Sequence, residues 1–277
     1  MLRVDQPGTA RAAQAALQRA VADGQACAFV GGGTALQLAW GDASPALRLV
    51  DVSRLPEAQG IARVDDHLRV GAAVRLEALR RDPLVARHAP LLAQACGSLA
   101  ALSVRHLGTL GGNVGWGFGD SLPALLAMDA LAELADGDVT PLQALLTGPG
   151  PMPLLVALRV DAHRFGPLGG AGVIGFQEKV GHRAAFSPAR LNLALTATRS
   201  GDGGWRDVRV AACAAGVTAR RLRHLERQLE AAASPAITAA ALGPACHADL
   251  PHDPADDGLL PRVAANLVAG WLRSSTP

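Results

Sequence analysis

The sequence predicts an α+β chain of two domains, and three observations carry that expectation. Short apolar strands run into glycine turns, as in "ACAFVGGG"; alternating runs flank a polar dipeptide, as in "GIARVDDHLRVGAAV"; and helix-forming stretches lie between them. At 277 residues the chain can bury one large or two modest cores, and a change of texture near residue 165 favours two.

Taken in order, residues 8–22 are rich in helix formers, with Thr9 as a candidate cap. "CAFV" then reads as a short strand ending in glycine, and "ALRLVDVSRLPE" is extended around Leu47 to Val52. The alternation on either side of Asp65-Asp66 predicts a hairpin, and helices follow near residues 75–81 and 90–102. "SLPALLAMDALAEL" reads as a helix leading into a strand, and "PLLVALRVDA" as a further strand. "HRFGPLGGAGVIGF", residues 163–176, is expected to be an interdomain linker or loop, because its glycines and proline punctuate regular structure. Beyond it the sequence predicts a hairpin turning at Gly201 to Gly204 and a helix over "ARRLRHLERQLEAA". An amphipathic helix over "GLLPRVAANLVAGWLRSS" follows, and no internal repeat is evident.

Composition excludes several function classes. A formal charge of +2 gives no general electrostatic reason for nucleic acid or an anionic membrane surface as partner. Lys179 is the only lysine, and tyrosine is absent. The first residues lack the apolar core of a signal peptide and no stretch of about 20 apolar residues follows, so a cytoplasmic protein without membrane insertion is expected. Cys27, Cys96, Cys213 and Cys246 stand too far apart for zinc or iron–sulfur spacing and read as small buried residues, so no metal site is expected.

The glycines carry the chemistry. A glycine turn after a strand lets successive backbone N–H groups converge on a phosphate, and "FVGGGTAL" has that form, as does any tight turn. It lacks the spaced third glycine of the usual dinucleotide fingerprint and the Gly-Lys-Ser/Thr ending of a nucleotide-hydrolysing loop. "GTLGGN" is a second such turn, and two backbone cradles would clamp a diphosphate from two sides.

Together, "FVGGGTAL", "LVDVSRLPE" and "VRHLGTLGGNVGWGFGDSLPALLAMDA" resemble the FAD-binding medium subunit of the molybdenum hydroxylases, the family of the xanthine dehydrogenases and carbon monoxide dehydrogenase. "KVGHRAAFSPARLNLAL" is similar to the start of that family's C-terminal domain. The resemblance implies a bipartite FAD-binding domain of the vanillyl-alcohol oxidase and p-cresol methylhydroxylase type over residues 1–165, then a smaller α+β domain over 166–277. It implies that backbone at Gly31, Gly32, Gly33 and Thr34, with Gly111, Gly112 and Asn113, holds the FAD pyrophosphate, and it adds Ala35 and Leu36 to the cofactor-binding residues. Thr34 and Thr109 would add hydroxyls, Asp120 would meet the adenosine ribose, and Phe176 and Arg190 would lie near the flavin ring.

The same resemblance implies an electron relay with no catalytic side chain of its own. A [2Fe-2S] small subunit would deliver reducing equivalents, a large subunit with the molybdenum cofactor would oxidise the substrate, and a terminal acceptor would receive the electrons, the assembly being a heterotrimer or a dimer of heterotrimers. Three departures stand out. "GGNVGWGFGDSLPA" is two residues shorter than the family's usual "GGNLAHADPASDLPA" before the aspartate and carries Trp116 and Phe118. His106 replaces a common asparagine, and Arg75 a common threonine.

Two rival readings are a self-contained flavin oxidoreductase, which lacks an identifiable base, and a flavin-free assembly subunit, against which the intact glycine pairs argue. "ACHADLPHDPADD" gathers Cys246, His247, Asp249, His252 and Asp253 and is expected to be a solvated loop rather than a metal site. No G-x-S-x-G nucleophile elbow is present.

Overall fold

The computed structural model describes residues 3–40, 47–165, 173–181, 189–201, 203–232, 237–250 and 258–275. The first unit runs β1 (Arg3–Asp5), α1 (Ala10–Ala22), β2 (Cys27–Val30), α2 (Thr34–Trp40) and β3 (Arg48–Asp51). Its sheet is parallel with β3 in the centre, order β1-β3-β2, because each crossover passes through a helix. Thr9 caps α1 as expected, its hydroxyl accepting the Ala12 N–H at 3.2 Å. Ala10, Ala13, Ala16 and Ala20 form the buried face, where small side chains let the helix lie close to the sheet. An Arg48–Asp5 ion pair at 2.6 Å ties β3 to β1.

The second unit begins with β4 (Ile61–Val64) and β5 (His67–Gly71), paired as the predicted hairpin with Asp65 at φ 51° in its turn. Six short helices follow: α3 (Leu76–Arg81), α4 (Pro83–His88), α5 (Pro90–Ser98), α6 (Leu102–Leu107), α7 (Leu110–Gly115) and α8 (Leu122–Ala127). Prolines open α4 and α5, where a missing N–H costs nothing, and Asp82 caps α4. The helix expected over 90–102 ends at Ser98, because Ala100 takes φ 44° and turns the chain into α6. The unit closes with β6 (Leu131–Leu134), β7 (Val139–Pro141), α9 (Leu142–Thr147) and β8 (Leu155–Asp161). Its five strands form an antiparallel sheet in the order β4-β5-β8-β6-β7.

The third unit holds β9 (Val173–Gly181), β10 (Ala189–Arg199), β11 (Trp205–Ala214), β12 (Val217–Arg221), α10 (Arg223–Glu230), α11 (Ala239–Asp249) and α12 (Leu259–Ser274). Its antiparallel sheet runs β12-β11-β10-β9 and is covered on both faces. Leu191, Leu193, Leu195, Val208 and Val210 pack in the core with α12, whereas Ala194, Ala211, Cys213 and Ala219 join the core of the second unit. Small residues on that face admit α8 against β10 and β11.

Asp129 ties the two units electrostatically. Burial opposes its ionisation, yet Arg209, Arg221 and Arg164 surround the carboxyl and hold its pKa below the ordinary value.

Three expectations are corrected here. The predicted linker gives way to β9 already at Val173, and residues 166–172 lie outside those described. The helix expected from Ala219 starts at Arg223; Ala219 to Arg221 complete β12, since buried Arg221 is held by Glu226 and Asp129. The loop expected over 245–257 is helical through Asp249, whose carboxylate accepts the N–H groups of His224 and Leu225 at the head of α10. His252 and Asp253 fall outside the described residues, and among those described no group of three metal-ligating side chains occurs.

Candidate functional site

Strand β2 delivers the chain to Gly31, Gly32 and Gly33, and Gly33 takes φ 70° to turn it into α2. A left-handed φ favours glycine because a Cβ would crowd the following carbonyl. Gly31 and Gly32 answer a second demand, close approach. A Cβ on Gly31 would overlap the Thr109 hydroxyl, and one on Gly32 would overlap the Leu107 carbonyl and lie 2.8 Å from Gly108 Cα. The first glycine loop therefore rests directly on the Leu107–Thr109 turn between α6 and α7.

The N–H groups of Gly31, Gly32, Gly33, Thr34, Ala35 and Leu36 donate to no acceptor among the described residues. The first bond back into the chain is from Gln37 N–H to the Gly33 carbonyl at 3.0 Å. Six consecutive half-buried residues thus offer amide donors to whatever lies against them, at the positive end of a short helix. These are the six residues singled out from the sequence.

The second motif is built differently from the turn expected. Thr109 is the N-cap of α7, and Gly111, Gly112 and Asn113 lie in its first turn. Their amides are engaged internally: Gly111 N–H with the Ala72 carbonyl at 2.7 Å, Gly112 N–H with the Thr109 hydroxyl at 3.1 Å, and Asn113 N–H with the Thr109 carbonyl at 3.0 Å. Gly111 is required because a Cβ there would come within 2.8 Å of Ala72 Cβ. The first motif thus presents unengaged amides, whereas those of the second are bonded within the chain, and Thr109, its N-cap, is the residue that Gly31 packs against.

The turn that backs the first loop is fixed from below. Glu77 on α3 is 2% exposed and receives hydrogen bonds from Arg80, Arg105 and Arg81, with Arg105 Nε at 2.8 Å. Those guanidinium groups hold its carboxyl far below the usual carboxylate range. Arg105 also donates to the carbonyls of Leu99 and Ala100, so one arginine locks α6, and with it Leu107, to α3. Arg75 pairs with Thr109 as an isolated antiparallel bridge, and its guanidinium donates to the Leu107 carbonyl.

The Asn113 side chain holds the shortened loop, its oxygen accepting the Ser121 N–H at 3.0 Å and the Ser121 hydroxyl at 2.6 Å. Trp116 and Phe118 face one another in that loop with ring centroids 5.5 Å apart. Asp120, at the end of the loop, is paired with Lys179 of β9 at 2.7 Å, and its carbonyl accepts from buried Asn192 of β10 at 2.8 Å. Burial pushes the Cys96 thiol up to about 12 and the Cys213 thiol above its ordinary range, so neither supplies a thiolate near neutral pH.

Phe176 lies on β9 and is partly buried. Its ring stacks on Trp271 of α12 at 6.2 Å, while the alternate residues Gly175 and Lys179 turn to the second unit and meet Leu91 and Asp120. Arg190 lies near the start of β10.

Residues 2–158 match the protein family described as FAD binding domain in molybdopterin dehydrogenase. The chain belongs to that family. The xanthine dehydrogenase FAD-binding subunit of Escherichia coli O157:H7 is 30% identical over 185 residues, covering 65% of this chain and 63% of the relative. The carbon monoxide dehydrogenase medium chain of Hydrogenophaga pseudoflava is 37% identical over 84 residues, 30% of this chain and 29% of the relative. The aligned part thus spans less than two thirds of the length of these curated relatives.

Among solved structures, a chain of carbon monoxide dehydrogenase from Hydrogenophaga pseudoflava superposes with a TM-score of 0.76 at 25% identity, covering 98% of each chain. A chain of the Cu,Mo-CO dehydrogenase superposes with a TM-score of 0.78 at 21% identity, over 99% of this chain and 95% of the other, and shares the fold. FAD is the cofactor of the family, and the donor set fits it: a diphosphate accepts hydrogen bonds, and residues 31–36 present unengaged N–H donors.

What the sequence did not show is the support. The Glu77–Arg105 clamp, the Leu107–Gly108 turn and the Asp120–Lys179–Asn192 cluster join residues far apart in the chain, and no local signal marks them. Asp120, Lys179 and Arg75 had drawn notice singly, for other reasons, and not as parts of this support.

Proposed function

We propose that this chain is the flavin subunit of a molybdenum-containing hydroxylase or dehydrogenase. It would accept electrons from a [2Fe-2S] subunit, whose large partner carries the molybdenum cofactor, and pass them to a terminal acceptor in the cytoplasm. A heterotrimer, or a dimer of heterotrimers, is the assembly this reading implies. The observation that carries it is the run of unengaged amides from Gly31 to Leu36, laid against the Leu107–Thr109 turn in a chain of the FAD-binding family.

Bound FAD supplies the redox chemistry, since a flavin exchanges electrons singly or in pairs. The chain's own residues bind and orient. In this reading, amides of residues 31–36 hold the diphosphate without a desolvated side-chain cation for each oxygen, and Thr109, Gly111, Gly112 and Asn113 shape the wall that fixes their spacing. Asp120 toward the ribose and Arg190 toward the flavin ring remain assignments by resemblance. Phe176 toward the flavin ring stands in the same way, its ring being partly buried and stacked on Trp271.

Purification of the native complex tests the proposal. Flavin absorption together with an iron–sulfur and a molybdenum subunit in its mass spectrum supports the relay. A colourless chain that purifies alone, or rapid flavin reduction by an N-heterocycle or aldehyde without partners, contradicts it.

A further inference from the structure

We infer that Arg75 contacts the FAD diphosphate directly, adding a side-chain cation to the backbone cradle; this rests on the reading of residues 31–36 as the diphosphate site. Two observations place the guanidinium there. Arg75 pairs through its backbone with Thr109, the residue against which Gly31 packs. Its guanidinium donates to the Leu107 carbonyl, the oxygen that a Cβ on Gly32 would overlap. The cation therefore shares one carbonyl with the loop that presents the unengaged amides.

Its charge is also uncommitted. The Leu107 carbonyl is its hydrogen-bond partner among the described residues, and no carboxylate there pairs with it. Arg105, the neighbouring arginine, is by contrast consumed by Glu77 and two carbonyls. A guanidinium carries five donors, so one bond to Leu107 leaves others for phosphate oxygens. Arg75 is half-buried beside exposed Leu107, so its guanidinium is open to a bound phosphate and to screening by salt.

A structural alternative is that Arg75 only caps the C-terminal end of α6, and the test separates the two. FAD binding to the apo chain is measured for the wild type, Arg75→Gln and Arg75→Lys at about 50 mM and about 500 mM salt, because only an ionic contact is screened over that range. Loss of a charged hydrogen bond is expected to weaken FAD binding by Arg75→Gln about tenfold or more at low salt. The gap should narrow at high salt, with Arg75→Lys intermediate and keeping the salt dependence. Equal affinity of wild type and Arg75→Gln, or a loss that is the same at both salt concentrations, overturns the inference and leaves the cradle reading standing. A wild-type chain that takes up no FAD overturns both.

Discussion

The carboxylate of Asp120 lies 2.7 Å from the ammonium of Lys179, and the pair joins the loop after α7 to the edge strand β9 of the third unit. Both side chains are mostly buried, 16% and 13% exposed, so neither charge is well solvated without the other. Asn192 reinforces the junction through the Asp120 carbonyl and is itself held by Gln177 at 2.9 Å. The chain's single lysine is thus spent on fastening the two units together.

Replacing one partner alone leaves a charge stranded. Lys179→Met is expected to destabilise the chain by about 3 kcal/mol, and Asp120→Asn combined with Lys179→Met by clearly less, since the pair is then removed together. Urea unfolding of the two single variants and the double variant measures the coupling. Additive effects would show that the contact contributes little.

The Glu77 cluster makes a pH prediction. Its carboxyl is held far below the ordinary value of 4.5, so the folded state binds the ionised form preferentially and gains stability from it above that pH. The gain is lost as pH falls from about 4.5 toward the depressed folded value. The stability difference between wild type and Glu77→Gln is therefore expected to stay constant from about pH 8 to about pH 5 and to shrink below that. Denaturant midpoints across that range check it; a difference that already falls between neutrality and about pH 5 contradicts the assignment.

The two glycine motifs should respond differently to a methyl group. In Gly32→Ala the new Cβ runs into the Leu107 backbone carbonyl, so the loop must lift off its support and flavin content is expected to fall sharply in a folded protein. In Gly112→Ala the nearest atom is the Thr109 hydroxyl at 3.0 Å, and alanine also favours the helix, so flavin content should change little. Absorbance ratios of the purified variants, with circular dichroism for folding, decide between them.

Much of the first unit was legible because its signals are local. A cap three residues before the amide it binds, and glycines directly after an apolar strand, need no tertiary information. The Asp65-Asp66 hairpin and the last helix are of the same kind. "GTLGGN" was misread as a turn because glycine disfavours helix in isolation; here the helix is held by Thr109 and by Ala72, distant in sequence. "ARR" was misread as helix for the converse reason. Arg221 completes a strand because Asp129, 92 residues away, and Glu226 satisfy its charge in the interior. The orientation of Phe176 depends on which face of β9 meets the second unit, and its single-residue pattern does not reveal that.

Residue-resolved amide hydrogen exchange, with and without FAD, tests the central claim most directly. The N–H groups of residues 31–36 have no acceptor within the described protein, whereas those of Gly111, Gly112 and Asn113 are already bonded. FAD is therefore expected to slow exchange strongly across Gly31 to Leu36 and to change it little at Gly111, Gly112 and Asn113. Protection that appears at the second motif while residues 31–36 exchange as fast as before would contradict the account.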